Sequence, residues 1–516
     1  MVANNPLPAM VDLLVVGGGI NGVGVARDAA GRGLSVLLVE QDDLAAHTSS
    51  ASTKLIHGGL RYLEYGEFRL VRESLRERER LWGMAPHIIR PMRFVVPPMP
   101  TRPGWMVRTG LFLYDHIGGR ERLPATQTVR LADAPEGKGL ARRSGKAYVY
   151  SDCWVDDARL VVLNTMDAAA RGAAIRTRTR FEAARREGGG WLARLHDRHG
   201  AQQVHARAIV NTAGPWVGEV AAAIEGARAK GAVRLVKGSH IVVPRLYPGD
   251  HAFLLQNPDR RVIFAIPYEG EYTLIGTTDV PLRDLPQGRI SISDAEIDYL
   301  LAAANAAFAR PTSRGEIAWT YAGIRPLFDD QAENASAVTR DYVLDLDCGN
   351  GSDAPLLNVF GGKITTYRRL AEQAVDRLAG AARWTHAERA WTAGAVLPGG
   401  AFASFEDFLV GLARRYPGFP NAMLRRMARA YGTRAETILG HAHAPDDLGT
   451  DFGGGLHQAE VDYLIGHEWA TCGEDILWRR SKLGLHLPAS AEAALDDYCR
   501  LALAERRGET KGRGDA

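Results

Sequence analysis

The sequence predicts an α/β protein with an α+β insert. A parallel-sheet domain is assembled from separated stretches of chain, an antiparallel-sheet domain is inserted between them, and a helical domain closes the chain. Three observations predict it. The N-terminus alternates an unbroken apolar run, a glycine-rich turn, a small-residue helix and a second apolar run. Strand-and-glycine segments of the same kind recur at 207–214 and 356–378, with a strand-rich stretch over 233–280 between them. From about 399 to 505 the spacing of Leu, Ala, Arg and Trp is mainly helical.

The N-terminal unit carries the first chemistry. VDLLVV, 11–16, is the pattern of a parallel strand buried on both faces. GGGINGVG opens a helix, and LSVLLVE, 34–40, is a second such strand. In Gly17-x-Gly19-x-x-Gly22, Gly17 permits a tight turn and Gly19 lets backbone approach a pyrophosphate. Gly22 lets helix and strand pack closely. Ile20 and Asn21 fall at the helix N-terminus, whose free N–H groups and positive dipole favour phosphate. Glu40 ends the second strand, where a carboxylate accepts from ribose hydroxyls and repels a 2′-phosphate, arguing against NADP. These features predict a Rossmann-like dinucleotide domain without choosing FAD over NAD. The polar loop HTSSASTKLIHGGLRYL, 47–63, makes that choice. A simple NAD domain would continue with alternating strands and helices, whereas this loop suits wrapping a larger cofactor, FAD.

Length and composition bound the rest. At 516 residues the chain exceeds one core and should split into two or three domains. The boundaries expected are 10–95, 150–225 and 355–380 for the discontinuous FAD-binding domain, 96–149 and 226–354 for the substrate-binding domain, and 388–510 for the helical domain. A net charge of +3 excludes a strongly basic nucleic-acid binder. Cys153, Cys348, Cys472 and Cys499 form no CxxC and no metal-ligand spacing, so no metal and no disulfide are expected. The N-terminus has no secretory pattern, and no run reaches the ~18–20 apolar residues that span a bilayer. The last dozen residues read as a loose tail.

The motifs GGGINGVG, TSSASTKLIHGGLRYLEYGEFRLV, MAPHIIRPMRF, YSDCWVDDARLV, NTAGPWV, KGSHIVVPR, IGTTD, GIRPL, TRDY and FGGKITTYRRLAE run from about 11 to 378. Through them the chain resembles the bacterial aerobic, quinone-linked FAD-dependent glycerol-3-phosphate dehydrogenases, within the D-amino-acid-oxidase-like flavoproteins. The C-terminal region, with LPGG and YGT, also looks like this family. The resemblance implies oxidation of sn-glycerol 3-phosphate to dihydroxyacetone phosphate. C2 gives its hydride to flavin N5, and electrons pass to membrane ubiquinone or menaquinone. It implies a cytoplasmic protein peripheral on the inner face of the cytoplasmic membrane.

A small dianion with a secondary alcohol needs cations for its phosphate and a base at its hydroxyl. Arg61, Arg325, Arg340 and Lys363 are the candidate cations, because an arginine fork donates two parallel hydrogen bonds to phosphate. Tyr62 adds a hydroxyl, and the resemblance places all five at the substrate pocket or beside the flavin. His240, at a strand start in KGSHIVVP, is the candidate base and forms the catalytic pair with Arg325. On residue type alone a hydrogen-bonded core histidine is the better reading of it. Its rival His57 is read as a flavin contact, with Gly58 and Gly59, and Thr278 as a pocket residue. Ser49, Ser50, Thr53 and Lys54 are read as contacts to the ribityl chain or pyrophosphate, and Ala213 and Gly214 as the adenosine side. Backbone N–H groups of Gly361, Gly362, Lys363 and Ile364, with Thr365 and Thr366, suit the charge on a reduced flavin.

Residues 102–120, RPGWMVRTGLFLYDHIGGR, combine apolar side chains with basic flanks, as an interfacial element on anionic lipid would. An ordinary packed helix is the competing reading. The C-terminal helices carry no identifiable chemistry, which leaves packing, homodimerisation or a regulatory partner open. Three rival functions compete with this one: an oxidase using oxygen, an amine or amino-acid oxidase, and a non-enzymatic FAD-binding scaffold. The middle insertion typical of oxidase relatives is missing, and an amine pocket would not need four cations.

Overall fold

The first strand, β1 (Met10–Val16), is apolar on both faces and therefore takes the centre of a parallel sheet, with Leu13, Leu14 and Val15 fully buried. This is a computed structural model, and it describes residues 7–99, 101–227, 231–329, 341–350 and 353–507. β1 pairs in parallel with β2 (Val36–Val39) on one side and with the strand Gly200–Asn211 on the other. The parallel run continues through Ala174–Arg176 beyond β2 and Leu356–Gly361 beyond Gly200–Asn211. Tyr342–Asp347 closes that edge antiparallel. Segments remote in sequence thus meet in one sheet. α1 (Ile20–Gly31) packs on it beside α4 (Asp157–Ala170) and the helix Tyr367–Ala381.

A second sheet of ten described strands is mainly antiparallel. Its long strand Val233–Pro244 pairs with Tyr272–Gly276, Val280–Leu282 and Trp319–Phe328. Ile89–Val96 and Lys146–Val155 also belong to this sheet, joined in parallel to Ala252–Gln256 through Ile89–Val96. Residues 89–95 and 150–155, grouped with the nucleotide-binding stretches in the sequence reading, therefore pair in the other sheet. An isolated apolar strand does not say which sheet will take it. The helix Asp294–Ala307 covers one face of this sheet, and α2 (Phe68–Met84) and α3 (Gly104–Ile117) lie on the other side.

The C-terminal helices do not form a separate core. Leu424, Met427, Leu464 and Leu495 pack in the same apolar cluster as Val15, Val23, Leu160 and Val375. Buried charges pin this seam. Arg159 on α4 pairs with Glu468, both essentially solvent-free, and Arg27 on α1, itself paired with Asp167, donates from Nη2 to Ala395 O at 3.2 Å. Trp391 Nε1 donates to Asp28 O at 3.1 Å, at a point where Gly31 leaves room for the indole. The four cysteines are unpaired. The final residues 508–516 lie outside the described residues.

Candidate active site

A cavity of about 390 Å³ runs from the carboxyl end of the parallel strands to the inner face of the second sheet. Its first wall is the turn after β1. Gly17 adopts a φ of +111°, and a Cβ there would lie 2.7 Å from Thr212 O. At Gly22 a Cβ would lie 1.9 Å from Gly17 O, so helix and turn touch backbone to backbone. α1 starts at Gly19 with no side-chain cap and no acid in its first turn, which leaves its positive end facing the cavity. Ser49 Oγ accepts from Ile20 N–H at 2.9 Å and fastens the polar loop to this turn. Asn21 Nδ2 donates to Gly361 O at 3.3 Å, bringing the second glycine pair, Gly361 and Gly362, to the same wall.

Glu40 sits beside the turn. Its Oε2 accepts from Gly18 N–H at 2.7 Å and its Oε1 from Asp42 N–H at 2.9 Å. Burial pushes its carboxyl above the ordinary range, against the hold of those two N–H groups. Next to it His47 pairs with Asp42 at 2.8 Å and packs against Trp216, ring centroids 4.6 Å apart. One ligand atom each of Glu40, Asp42 and His47 lies within 4.8 Å of the others, a group already joined by its own hydrogen bonds.

The far end carries cations and a histidine. Arg325 pairs closely with Asp279, and its Nη2 donates to Thr277 Oγ1 at 2.9 Å and Thr278 O at 3.2 Å. Lys363 Nζ lies 4.9 Å from the centroid of the Tyr62 ring. Arg61 lines the wall with its Nε buried and lacking a hydrogen-bond partner. His57 N–H donates to Thr365 Oγ1 at 3.2 Å, and the Thr365 hydroxyl lies 3.3 Å from His57 O.

His240 is 1% exposed and stacks on Tyr321, centroids 4.6 Å apart and 15° from parallel. Its Nε2 lies 3.0 Å from Thr53 Oγ1, and its Nδ1 is buried without a partner. Gly276 across the strand pair makes room for the ring, since a Cβ there would sit 2.0 Å from His240 Cδ2. Burial, then the nearby Arg325 and Lys54 cations, hold its pKa well below 6.5, so the ring is neutral.

Of the residues singled out from the sequence, Gly17, Gly19, Ile20, Asn21, Glu40, Ser49, Thr53, His57, Gly59, Arg61, Tyr62, Ala213, Gly214, His240, Arg325, Gly362, Lys363, Ile364 and Thr365 line this cavity. Gly22, Ser50, Lys54, Gly58 and Thr278 do not. Gly22 is buried beneath Gly17. Ser50 Oγ turns back to His47 O at 3.3 Å. Lys54 is wholly buried on Asp157, at 2.7 Å, and Gly58 N–H donates to Tyr114 OH. Thr278 Oγ1 donates to Glu296 Oε1 at 2.7 Å and accepts from Ser239 N–H. Arg340 lies outside the described residues.

Sequence reasoning missed His47, Trp216, Thr277 and Asp279, and also Leu254, Val262 and Phe264 on the inner strands. A tryptophan directly behind the NTAG strand end was a usable signal. The inner apolar residues left none, because a strand's cavity-facing and core-facing positions look alike.

A mononucleotide could not use both ends of such a cavity, and the uncapped turn, the ribose acid and the second glycine pair together fit a bound flavin dinucleotide. This geometry defines a flavin-dependent oxidoreductase. The family model described as FAD dependent oxidoreductase matches residues 12–368, and that described as the C-terminal domain of alpha-glycerophosphate oxidase matches 390–508. The chain belongs to the FAD-dependent oxidoreductases and, within them, to the bacterial glycerol-3-phosphate dehydrogenase group; FAD is its cofactor. It is 52% identical over 496 residues to a glycerol-3-phosphate dehydrogenase of Pseudomonas aeruginosa, covering 96% of each chain. It is also 52% identical over 496 residues to the D-erythritol 1-phosphate dehydrogenase of Brucella abortus, covering 95% of this chain and 98% of that one. A solved glycerol-3-phosphate dehydrogenase from Bacillus halodurans, complexed with FAD, superposes with a TM-score of 0.73 at 27% identity, covering 97% of this chain and 92% of the other.

Gly22→Ala tests the backbone contact. Overpacking costs about 1–3 kcal/mol; if that cost falls on the cofactor-bound state, at about 1.4 kcal/mol per tenfold it weakens FAD binding by roughly five- to a hundredfold. Flavin fluorescence titration of the apoprotein measures it; an unchanged affinity would show that the contact does not shape the site.

Proposed function

We propose that this protein oxidises sn-glycerol 3-phosphate to dihydroxyacetone phosphate and passes the electrons to a membrane quinone, ubiquinone or menaquinone. The observation that carries the reading is that Arg61, Arg325 and Lys363 line the same cavity as a neutral His240. FAD, when bound, accepts the hydride. Arg325, anchored by Asp279 and Thr277, offers its guanidinium to the phosphate, with Lys363 and Arg61 beside it. Arg340 belongs to the same proposal. His240 takes the hydroxyl proton. The arriving dianion offsets the repulsion that Arg325 imposes on the imidazole and so raises its basicity when a base is needed. Backbone N–H groups at Gly361–Ile364 stabilise negative charge beside them.

In this reading 10–95, 150–225 and 355–380 chiefly hold FAD, 96–149 and 226–354 chiefly shape the substrate end, and 388–510 is helical, although Ile89–Val96 and Lys146–Val155 pair in the second sheet. The identity to a D-erythritol 1-phosphate dehydrogenase supports a second reading, in which a longer polyol monophosphate is the substrate. Both readings need the same cations.

A membrane quinone is met at the lipid surface. No described helix is long and apolar enough to cross a membrane. α3, however, buries Leu111 and Tyr114 while exposing Trp105 (73%), Met106, Phe112 and Leu113. Tyr65 and Phe68, also exposed, lie on elements that contact it. This apolar surface, flanked by exposed Arg108 and Arg120, supports peripheral attachment to an anionic leaflet on the cytoplasmic side.

Anaerobic addition of glycerol 3-phosphate should bleach the flavin absorbance, with glycerol and lactate inert; no bleaching would sink the reading. D-Erythritol 1-phosphate as a parallel arm, compared by kcat/KM, decides between the two polyol phosphates. Reoxidation by a soluble quinone, with little peroxide formed, separates dehydrogenase from oxidase.

His240→Gln should slow flavin reduction by ~10²–10⁴-fold, the usual worth of a general base. Because the folded imidazole's pKa is depressed, its neutral form persists below pH 6.5. The enzyme-borne acid limb of kcat/KM should therefore lie below pH 6.5 and vanish in the variant. A limb at or above 6.5 that survives His240→Gln counts against the assignment.

Trp105→Ser with Phe112→Ser should abolish co-sedimentation with phosphatidylglycerol vesicles while the flavin spectrum is retained. Unchanged binding would remove α3 as the attachment site.

A further inference from the structure

Among the described residues, the C-terminal domain contributes no side chain to the wall of the FAD cavity. Its buried charges nevertheless converge on the segment that carries Glu40. Asp43 is 1% exposed and accepts three hydrogen bonds, from Arg479 Nε at 2.6 Å, Arg480 Nη1 at 2.7 Å and Arg480 Nη2 at 2.8 Å. Both arginines lie on one π-helical turn, Asp475–Arg480. Asp475 on that turn is fully buried, pairs with Arg479 and accepts from Arg178 Nη2 at 2.8 Å.

The second grip closes a loop. Arg178 N–H donates to Asp42 O at 2.9 Å and Thr179 N–H to Glu40 O at 2.8 Å. Residues 40–43 are thus held from one side by Arg479 and Arg480 and from the other by 178–179, and both holds end on the same C-terminal turn. From there the constraint reaches the phosphate end: Ala46 N–H donates to Asp43 O at 3.1 Å, Ala45 N–H to Gly18 O at 3.3 Å, and Ser49 accepts from Ile20. A fully buried carboxylate is stable only while its cations remain, so displacing the turn leaves Asp43 uncompensated and frees this segment.

We propose that the C-terminal domain is an FAD-retention clamp, in which Asp43, Arg178, Asp475, Arg479 and Arg480 are positioning residues for the segment 40–50 that carries Glu40 and Ser49. By linkage, FAD binding and the seating of the Asp475–Arg480 turn on Asp43 then strengthen each other equally. The inference rests on FAD as cofactor and not on the identity of the substrate. A parent enzyme whose flavin glycerol 3-phosphate does not bleach would refute the proposed function and leave the clamp standing.

The test uses the full chain stripped of FAD and retitrated, with the parent, Arg480→Met and Asp475→Asn compared. Flavin fluorescence reports FAD affinity, and competition by ADP reports the adenosine half alone. Both affinities should weaken by about tenfold or more in each variant, within the range usual for coupled sites. In the parent, FAD should slow limited proteolysis within 388–510, and this protection should be lost in Arg480→Met. FAD and ADP affinities within twofold of the parent in folded variants would overturn the clamp. So would C-terminal cleavage in the parent that is indifferent to FAD, an arm that decides the matter even if neither variant folds.

Discussion

The whole arrangement depends on one backbone contact, the approach of the turn after β1 to the end of the strand Gly200–Asn211. Thr212 donates its N–H and its hydroxyl to Val16 O, at 2.9 and 2.8 Å, and Gly17 bends away with a φ open to glycine. Gly22 then lets the helix sit on the turn itself. Without side chains at these points, the positive end of α1, the acid at the end of β2 and the glycines after Leu356–Gly361 come within reach of one extended cofactor. Each is an ordinary strand-end feature. Their value lies in meeting.

Around that contact the protein spends much of its polar chemistry below the surface. Lys54 on Asp157, Arg159 on Glu468 and Asp43 on Arg480 are all buried pairs, and each joins segments far apart in the chain. Such pairs add little net stability compared with apolar residues of the same size, but they discriminate strongly against misalignment, because a single displaced partner leaves a bare buried charge. The polar loop 47–63 shows the result. It leaves the first sheet at Glu40, contributes Ser49 to the phosphate turn, sends Lys54 inward and pairs Leu55–Ile56 with the second sheet. Loop and buried charges together link the two sheets, with the cavity between them.

The same economy explains His240. Its neutral state follows from burial and then from the Arg325 and Lys54 cations, the first on the cavity wall and the second held by Asp157. The stacking ring of Tyr321 and the open place left by Gly276 fix the imidazole's plane, so that its two nitrogens have different surroundings.

Local chemistry was legible in the sequence wherever a short stretch must satisfy its own backbone. The buried strands 11–16 and 34–40, the Gly17–Gly22 turn and the acid at Glu40 follow from apolar runs and glycine placement, all read within about twenty residues. Family motifs extended that reading to Arg325, Lys363 and His240. Tertiary structure alone decided which sheet receives Ile89–Val96, and whether a polar side chain near the cavity faces it. Lys54 and Thr278 carry suitable groups in suitable motifs, yet Asp157 and Glu296 claim them from more than a hundred and from eighteen positions away. Nor could any local pattern place the Arg479–Arg480 turn on Asp43, over four hundred residues upstream. A charge pair reads as a solvated face until the fold removes the water, and burial is a property of the assembled core rather than of any segment.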